Sequence, residues 1–188
     1  TAQLREFLSN QLKIDSASPI IEIGCGTGVI LSDFGASAEK LCVGLDLRFD
    51  FLEFSKNQIL DLSLICADGL RLPFSPACFS GSFCHFLLLW IENPLNLLLE
   101  MRRVTLPGSV ILAMAEPDYG GRIDHPAELV HLGQQQAQAL FQQGADPLIG
   151  RKLRSLFHQA GLENIQTGIL GGHWGGLPSQ VSWDSEWN

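Results

Sequence analysis

The 188-residue chain is predicted to fold as a single α/β domain. The expected form is a three-layer αβα sandwich around a mostly parallel sheet of six strands, with a weakly patterned seventh strand running antiparallel. Two observations carry this expectation. Short apolar runs alternate with segments whose apolar residues recur at helical spacing, and no repeat or linker interrupts the alternation. The first clear run, Ile20 to Gly28 (IIEIGCGTG), breaks into glycines at 24, 26 and 28 before a helical pattern begins. That order reads as strand, tight turn and helix N-terminus, a geometry that aims backbone N–H groups at a bound ligand.

The elements follow in order. Residues 2–13 place Leu4, Phe7, Leu8 and Leu12 on one helical face, and Pro19 leads into the first strand. A helix is expected over 27–38. The run LCVGL gives the second strand, ending at Asp46, and Phe49, Leu52, Phe54 and Ile59 mark the helix after it. LSLICA gives the third strand, closing at Asp68–Gly69. The crossover LRLPFSPACFSG carries two prolines and leaves room for at most a turn of helix. GSFCHF forms the fourth strand, and LLLWIENPLNLLLEMRR continues into a helix with Asn93–Pro94 near its start. SVILAMA is the fifth strand, followed by the turn-rich EPDYGGRIDHP. Helices are expected over 127–143 and 151–160, with Gly161 closing the latter. ENIQTGIL is the predicted sixth strand, and the glycine-rich GGHWGGLPSQVSW is where a seventh would fall.

Composition narrows the functional classes. Apolar residues make up 46% and charged residues 17%, the balance of a globular chain. A net charge of −8, with no basic cluster beyond Arg102–Arg103, argues against a nucleic-acid partner. The five cysteines are odd in number and mostly lie in apolar runs, which suits a reducing, cytoplasmic setting. None pairs with a histidine at zinc-ligand spacing, so no metal is expected. The longest apolar stretch, FCHFLLLWI, is too short to span a bilayer, and the N-terminus lacks the pattern of a signal peptide. The chain starts with Thr and ends in WDSEWN, which reads as the start of a helix, so a trimmed or fragmentary chain is expected.

The chemistry of the glycine turn points to a particular ligand. G-x-G-x-G differs from the dinucleotide G-x-G-x-x-G, because Val29 stands where a third glycine would. Glu22, just before the turn, would repel a pyrophosphate but attract a ligand carrying an ammonium and a sulfonium. S-adenosylmethionine meets that requirement. With E-x-G-x-G-x-G, the acidic end of the second strand at Asp46 and the later "ADG" at 67–69, the chain resembles the class I S-adenosylmethionine-dependent methyltransferases over residues 18 to 170. Within them it is similar to the UbiE-like small-molecule branch, the type 11 domains with a Rossmann-like fold.

The resemblance implies roles for individual residues. Glu22, Gly24, Cys25 and Gly26 would shape the methionine end of the cofactor pocket. Asp46 would accept from both ribose hydroxyls, and Leu47 would lie on the adenine face or serve as core. Asp68 would accept from the adenine amino group, or simply make an Asp-Gly turn, with Gly69 leaving room for the ring. His85 ends the fourth strand beside the cofactor, as a contact, a base or a structural histidine. Asp118 and Tyr119, with Glu116, leave the fifth strand where an open sheet binds ligands and are candidate bases or substrate contacts. Phe86, Leu88, Trp90 and Tyr119 would line an apolar substrate pocket. Gly120 and Gly121 would hinge a lid over 117–146.

The expected reaction is methyl transfer to a small-molecule acceptor. A non-catalytic S-adenosylmethionine-binding module and a nicotinamide-dependent oxidoreductase are the rival readings. The sequence does not address oligomeric state.

Overall fold

A computed structural model describes residues 19–35, 42–58 and 63–169. Five strands form one parallel sheet: β1 (Ile20–Ile23), β2 (Cys42–Asp46), β3 (Ser63–Cys66), β4 (Phe79–His85) and β5 (Thr105–Met114), in the order β3-β2-β1-β4-β5. Helices α1 (Val29–Gly35), α2 (Phe49–Gln58), α3 (Pro94–Val104), α4 (Val130–Gln142) and α5 (Leu153–Gln159) connect or follow them. The order reverses at β1, which pairs with β2 on one side and β4 on the other. In open parallel sheets such a reversal leaves a crevice at the C-terminal strand ends.

Alternation along β1 sorts its side chains onto two faces. Ile21 and Ile23 enter the larger core with Val43, Leu45, Leu97, Leu98 and Met101. Ile20 joins Leu31, Cys42 and Phe83 on the α1 side. Glu22 shares that second face and is 2% exposed. Full burial of each large aliphatic side chain contributes about 1.5–3 kcal/mol, so the sheet centre holds the C-terminal loops on a rigid base.

The β3–β4 crossover contains a single 3-10 turn, Gly69–Arg71, as its prolines foretell. Side chains of α3 take over the bracing. Arg103 donates to the Phe74 carbonyl at 2.8 Å and the Leu72 carbonyl at 2.9 Å, while Glu100 accepts the Leu72 N–H at 2.8 Å and pairs with Arg103. Phe74 meets Phe79 edge to face at 4.9 Å.

Two expectations change. Leu87–Trp90, expected to begin the next helix, instead form a separate 3-10 turn over Leu88–Trp90, while α3 starts at Pro94 as the Asn93–Pro94 pair predicts, with Asn93 capping it by accepting the Asn96 N–H. The predicted sixth strand over 163–170 does not form in its described part, 163–169, where Asn164 has a φ of 53° and Ile169 is 97% exposed. A strand persists only with a hydrogen-bonded neighbour, and no described residue pairs with this segment or with the outer edge of β5. The sheet of the described residues is therefore five parallel strands. The expected seventh strand and the helix over 2–13 lie outside the described residues. Among those described, no helix is long and apolar enough to cross a membrane.

Candidate functional site

The glycine loop leaves β1 and is tied down by β2. The Gly24 and Cys25 N–H groups donate to the Leu45 carbonyl at 2.7 and 3.0 Å. Gly24 has a φ of 72°, and a Cβ there would lie 2.7 Å from Leu87 Cδ1, so both dihedral and space exclude a side chain. Gly26 also has a positive φ, yet a Cβ on it would meet no protein atom within 4 Å. The loop is thus closed on one side by Leu87 and open over Gly26.

Asp46 bridges to this loop. Its Oδ2 accepts the Gly26 N–H at 2.8 Å and its Oδ1 accepts the Arg48 N–H at 2.9 Å. Each carboxylate oxygen keeps a further lone-pair direction, so these bonds fix the group without exhausting it. Glu22 lies beneath, with Oε2 buried and without a partner among the described residues. Burial first, and the neighbouring Asp46 charge second, push its pKa well above the usual carboxylate value, while a bond from the Leu31 N–H pulls the other way. Cys25 turns its thiol inward, toward Gly44, and burial raises its pKa to about 12. It therefore offers the site its main chain only.

Leu47 is 70% exposed at the end of β2. The third strand end lies beside it, since the Ala67 N–H donates to the Asp46 carbonyl at 3.1 Å. Asp68 accepts the Leu70 N–H through Oδ1 at 2.9 Å and so makes the local turn. Gly69 differs from the expectation: a Cβ there would lie 2.9 Å from Ile23 and 3.0 Å from Leu97. The missing side chain makes room for the core.

His85 ends β4, and burial lowers its pKa from the ordinary imidazole value. Phe86 and Trp90 are 37% and 41% exposed, but Leu88 is fully buried and belongs to the core, not to a pocket wall. The acidic stretch after β5 is also rearranged relative to the expectation. Glu116 accepts the N–H groups of Leu87, Leu88 and Leu89 at 2.9, 2.9 and 3.2 Å. A carboxylate holding three backbone donors is a brace, and sequence reasoning missed this because its partners lie 27–29 residues away. Asp118 accepts from Arg151 Nε through both oxygens at 2.9 and 3.0 Å, and this contact holds its pKa below the usual value. That pairing makes Asp118 a poor proton acceptor.

Beyond Asp118 the chain makes an excursion whose ends are joined. The Tyr119 N–H donates to the Pro147 carbonyl at 2.9 Å and the Gly150 N–H to the Pro117 carbonyl at 2.8 Å. The Gly120 and Gly121 N–H groups both donate to Asp118, so the proposed hinge is bonded in place. Within the excursion Arg122 pairs with Asp124 and reaches Gln136 on α4. Among the described residues no cluster of three or more His, Cys, Asp or Glu side chains is arranged to hold a metal.

A glycine loop under an acidic strand end, at the reversal point of a parallel sheet, defines a nucleoside-cofactor domain. Comparison with known proteins gives the family. Residues 21–113 match the methyltransferase domain family. The malonyl-[acyl-carrier protein] O-methyltransferase of Marinomonas sp. is 28% identical over 57% of this chain and 41% of its own length. The demethylmenaquinone methyltransferase of Corynebacterium urealyticum is 31% identical over 60% and 47%. Among solved structures, a chain in the complex of the Haloferax volcanii Trm112 methyltransferase activator with a methyltransferase superposes with a TM-score of 0.70. It is 15% identical, and the match covers 96% of this chain and 82% of that one. The chain is thus similar to methyltransferases over residues 21–113, and it spans less than half the length of the first curated relatives it matches.

Proposed function

We propose that this domain binds S-adenosylmethionine on the Gly24–Gly28 loop and transfers its methyl group to a small-molecule acceptor. The carrying observation is the buried Glu22 Oε2, which has no partner among the described residues and is set beside Asp46 under the loop. Burial and Asp46 favour the protonated form of Glu22, and a cation seated beside it would offset that cost and favour the carboxylate. The donor set fits such a cofactor: Glu22 for positive charge, Asp46 for a ribose diol, exposed Leu47 for an adenine face and Asp68 for its amino group.

When bound, S-adenosylmethionine would supply an electrophilic sulfonium methyl group for in-line transfer to the acceptor's nucleophile, with S-adenosylhomocysteine as the leaving group. The protein's part is alignment and exclusion of water. Phe86, Trp90 and Tyr119 give the substrate side an apolar wall suited to a hydrophobic or aromatic acceptor. His85, at the end of β4, is the candidate base where the acceptor must lose a proton. Asp118, engaged by Arg151, supports the loop that carries Tyr119.

Calorimetric titration of the full chain with S-adenosylmethionine and with NADH tests this reading. Uptake of the first and not the second is the expected result; the reverse overturns the assignment. Radiolabelled methyl transfer to a panel of phenols, quinols and amines then identifies the acceptor class, and transfer confined to highly polar amines would count against an apolar pocket.

A further inference from the structure

Glu116 follows Ala115, whose φ of 53° lies in the left-handed region, and its carboxylate holds three successive N–H groups of the turn 87–89. Charge-assisted bonds of this kind fix backbone more firmly than neutral ones. The turn so held touches two separate parts of the site. On one side the Leu87 side chain lies against Gly24 of the glycine loop. On the other, the Leu89 carbonyl accepts the Asp146 N–H at 2.6 Å, where the 117–146 excursion returns to the body. Phe86, just before the turn, is a bulky residue at a φ of 53°, a conformation that survives only where its surroundings impose it.

We infer that Glu116 is a positioning residue: through the turn 87–89 it sets the glycine loop and the returning end of the excursion against each other. Its consequence for cofactor affinity rests on the methyltransferase reading above. The structural coupling itself does not.

The test uses the full chain, with Glu116→Gln compared against Glu100→Gln. Glu100 also accepts a backbone N–H and pairs with an arginine, but it braces the crossover instead. Hydrogen exchange without ligand, and titration with S-adenosylmethionine well below each variant's Tm, are the two measurements. Glu116→Gln accelerates exchange at Leu87–Leu89 and also at Gly24, Cys25 and Asp146. Its dissociation constant for S-adenosylmethionine rises roughly tenfold, the size of coupling carried by one network residue. Glu116→Asp restores part of both effects, and Glu100→Gln changes neither even where it lowers Tm as much. Faster exchange confined to 87–89, or equal loss of affinity in both variants, overturns the inference. Should Glu116→Gln fail to fold, Leu87→Ala cuts the link on the loop side. It then speeds exchange at Gly24 and not at Asp146, and no change at Gly24 overturns the inference. If the wild-type chain takes up no S-adenosylmethionine, the functional reading fails and the exchange pattern alone decides this one.

Discussion

Glu22 places a carboxylate where the protein alone cannot satisfy it, and the sign of the effect follows from its raised pKa. Folding favours its protonated form, so the stabilising contribution is complete below the unfolded carboxylate value and is lost as pH rises through the higher folded value. Glu22→Gln removes the buried charge and its repulsion with Asp46. Thermal scans should therefore show a Tm gain at pH 8, at about 3 °C per kcal/mol for a chain of this size, that shrinks toward pH 4. The same variant should bind S-adenosylmethionine more weakly at pH 8. A gain in stability with undiminished affinity would remove Glu22 from the site. Ala115 gives a second prediction at this scale. Its left-handed φ costs a non-glycine residue roughly 1–2 kcal/mol, part of which glycine gives back through its freer unfolded chain. Ala115→Gly is expected to raise the urea midpoint by the equivalent of about 1 kcal/mol.

The β3–β4 crossover shows how one helix does the work of two. With only a 3-10 turn of its own, that segment relies on Arg103 and Glu100 of α3. Arg103→Ala leaves the Leu72 and Phe74 carbonyls without this donor. It should cost about 2–3 kcal/mol by urea denaturation, in line with charged hydrogen bonds; Arg71→Ala, exposed on the turn itself, should cost little. The shortness of the crossover was readable from its prolines, because proline restricts the backbone locally. The glycine turn was readable for the same reason: residue type alone sets which φ values are cheap. Glu116 and the segment 163–169 were not readable. A brace on distant N–H groups and a strand without a neighbour both depend on partners that local pattern does not name. Gly69 shows a related limit, since a glycine needed by the core and one needed by a ligand look alike in sequence.

For the whole molecule, the sheet and the excursion after it have different foundations. The glycine loop rests on buried strands β1, β2 and β4; the segment between Pro117 and Gly150, which the proposed function assigns to the acceptor, is mostly exposed. That segment is pinched shut at its root by the paired bonds of Tyr119 with Pro147 and of Gly150 with Pro117. Because lengthening a flexible closed loop costs little extra entropy, this root acts as a socket into which other sequences can be fitted. A chimera carrying a relative's segment between these two clasps should fold with nearly the parent Tm, keep its hold on S-adenosylmethionine and exchange only the acceptor it recognises. On the proposed function, a new acceptor then needs no rewriting of the part of the chain that grips the methyl donor.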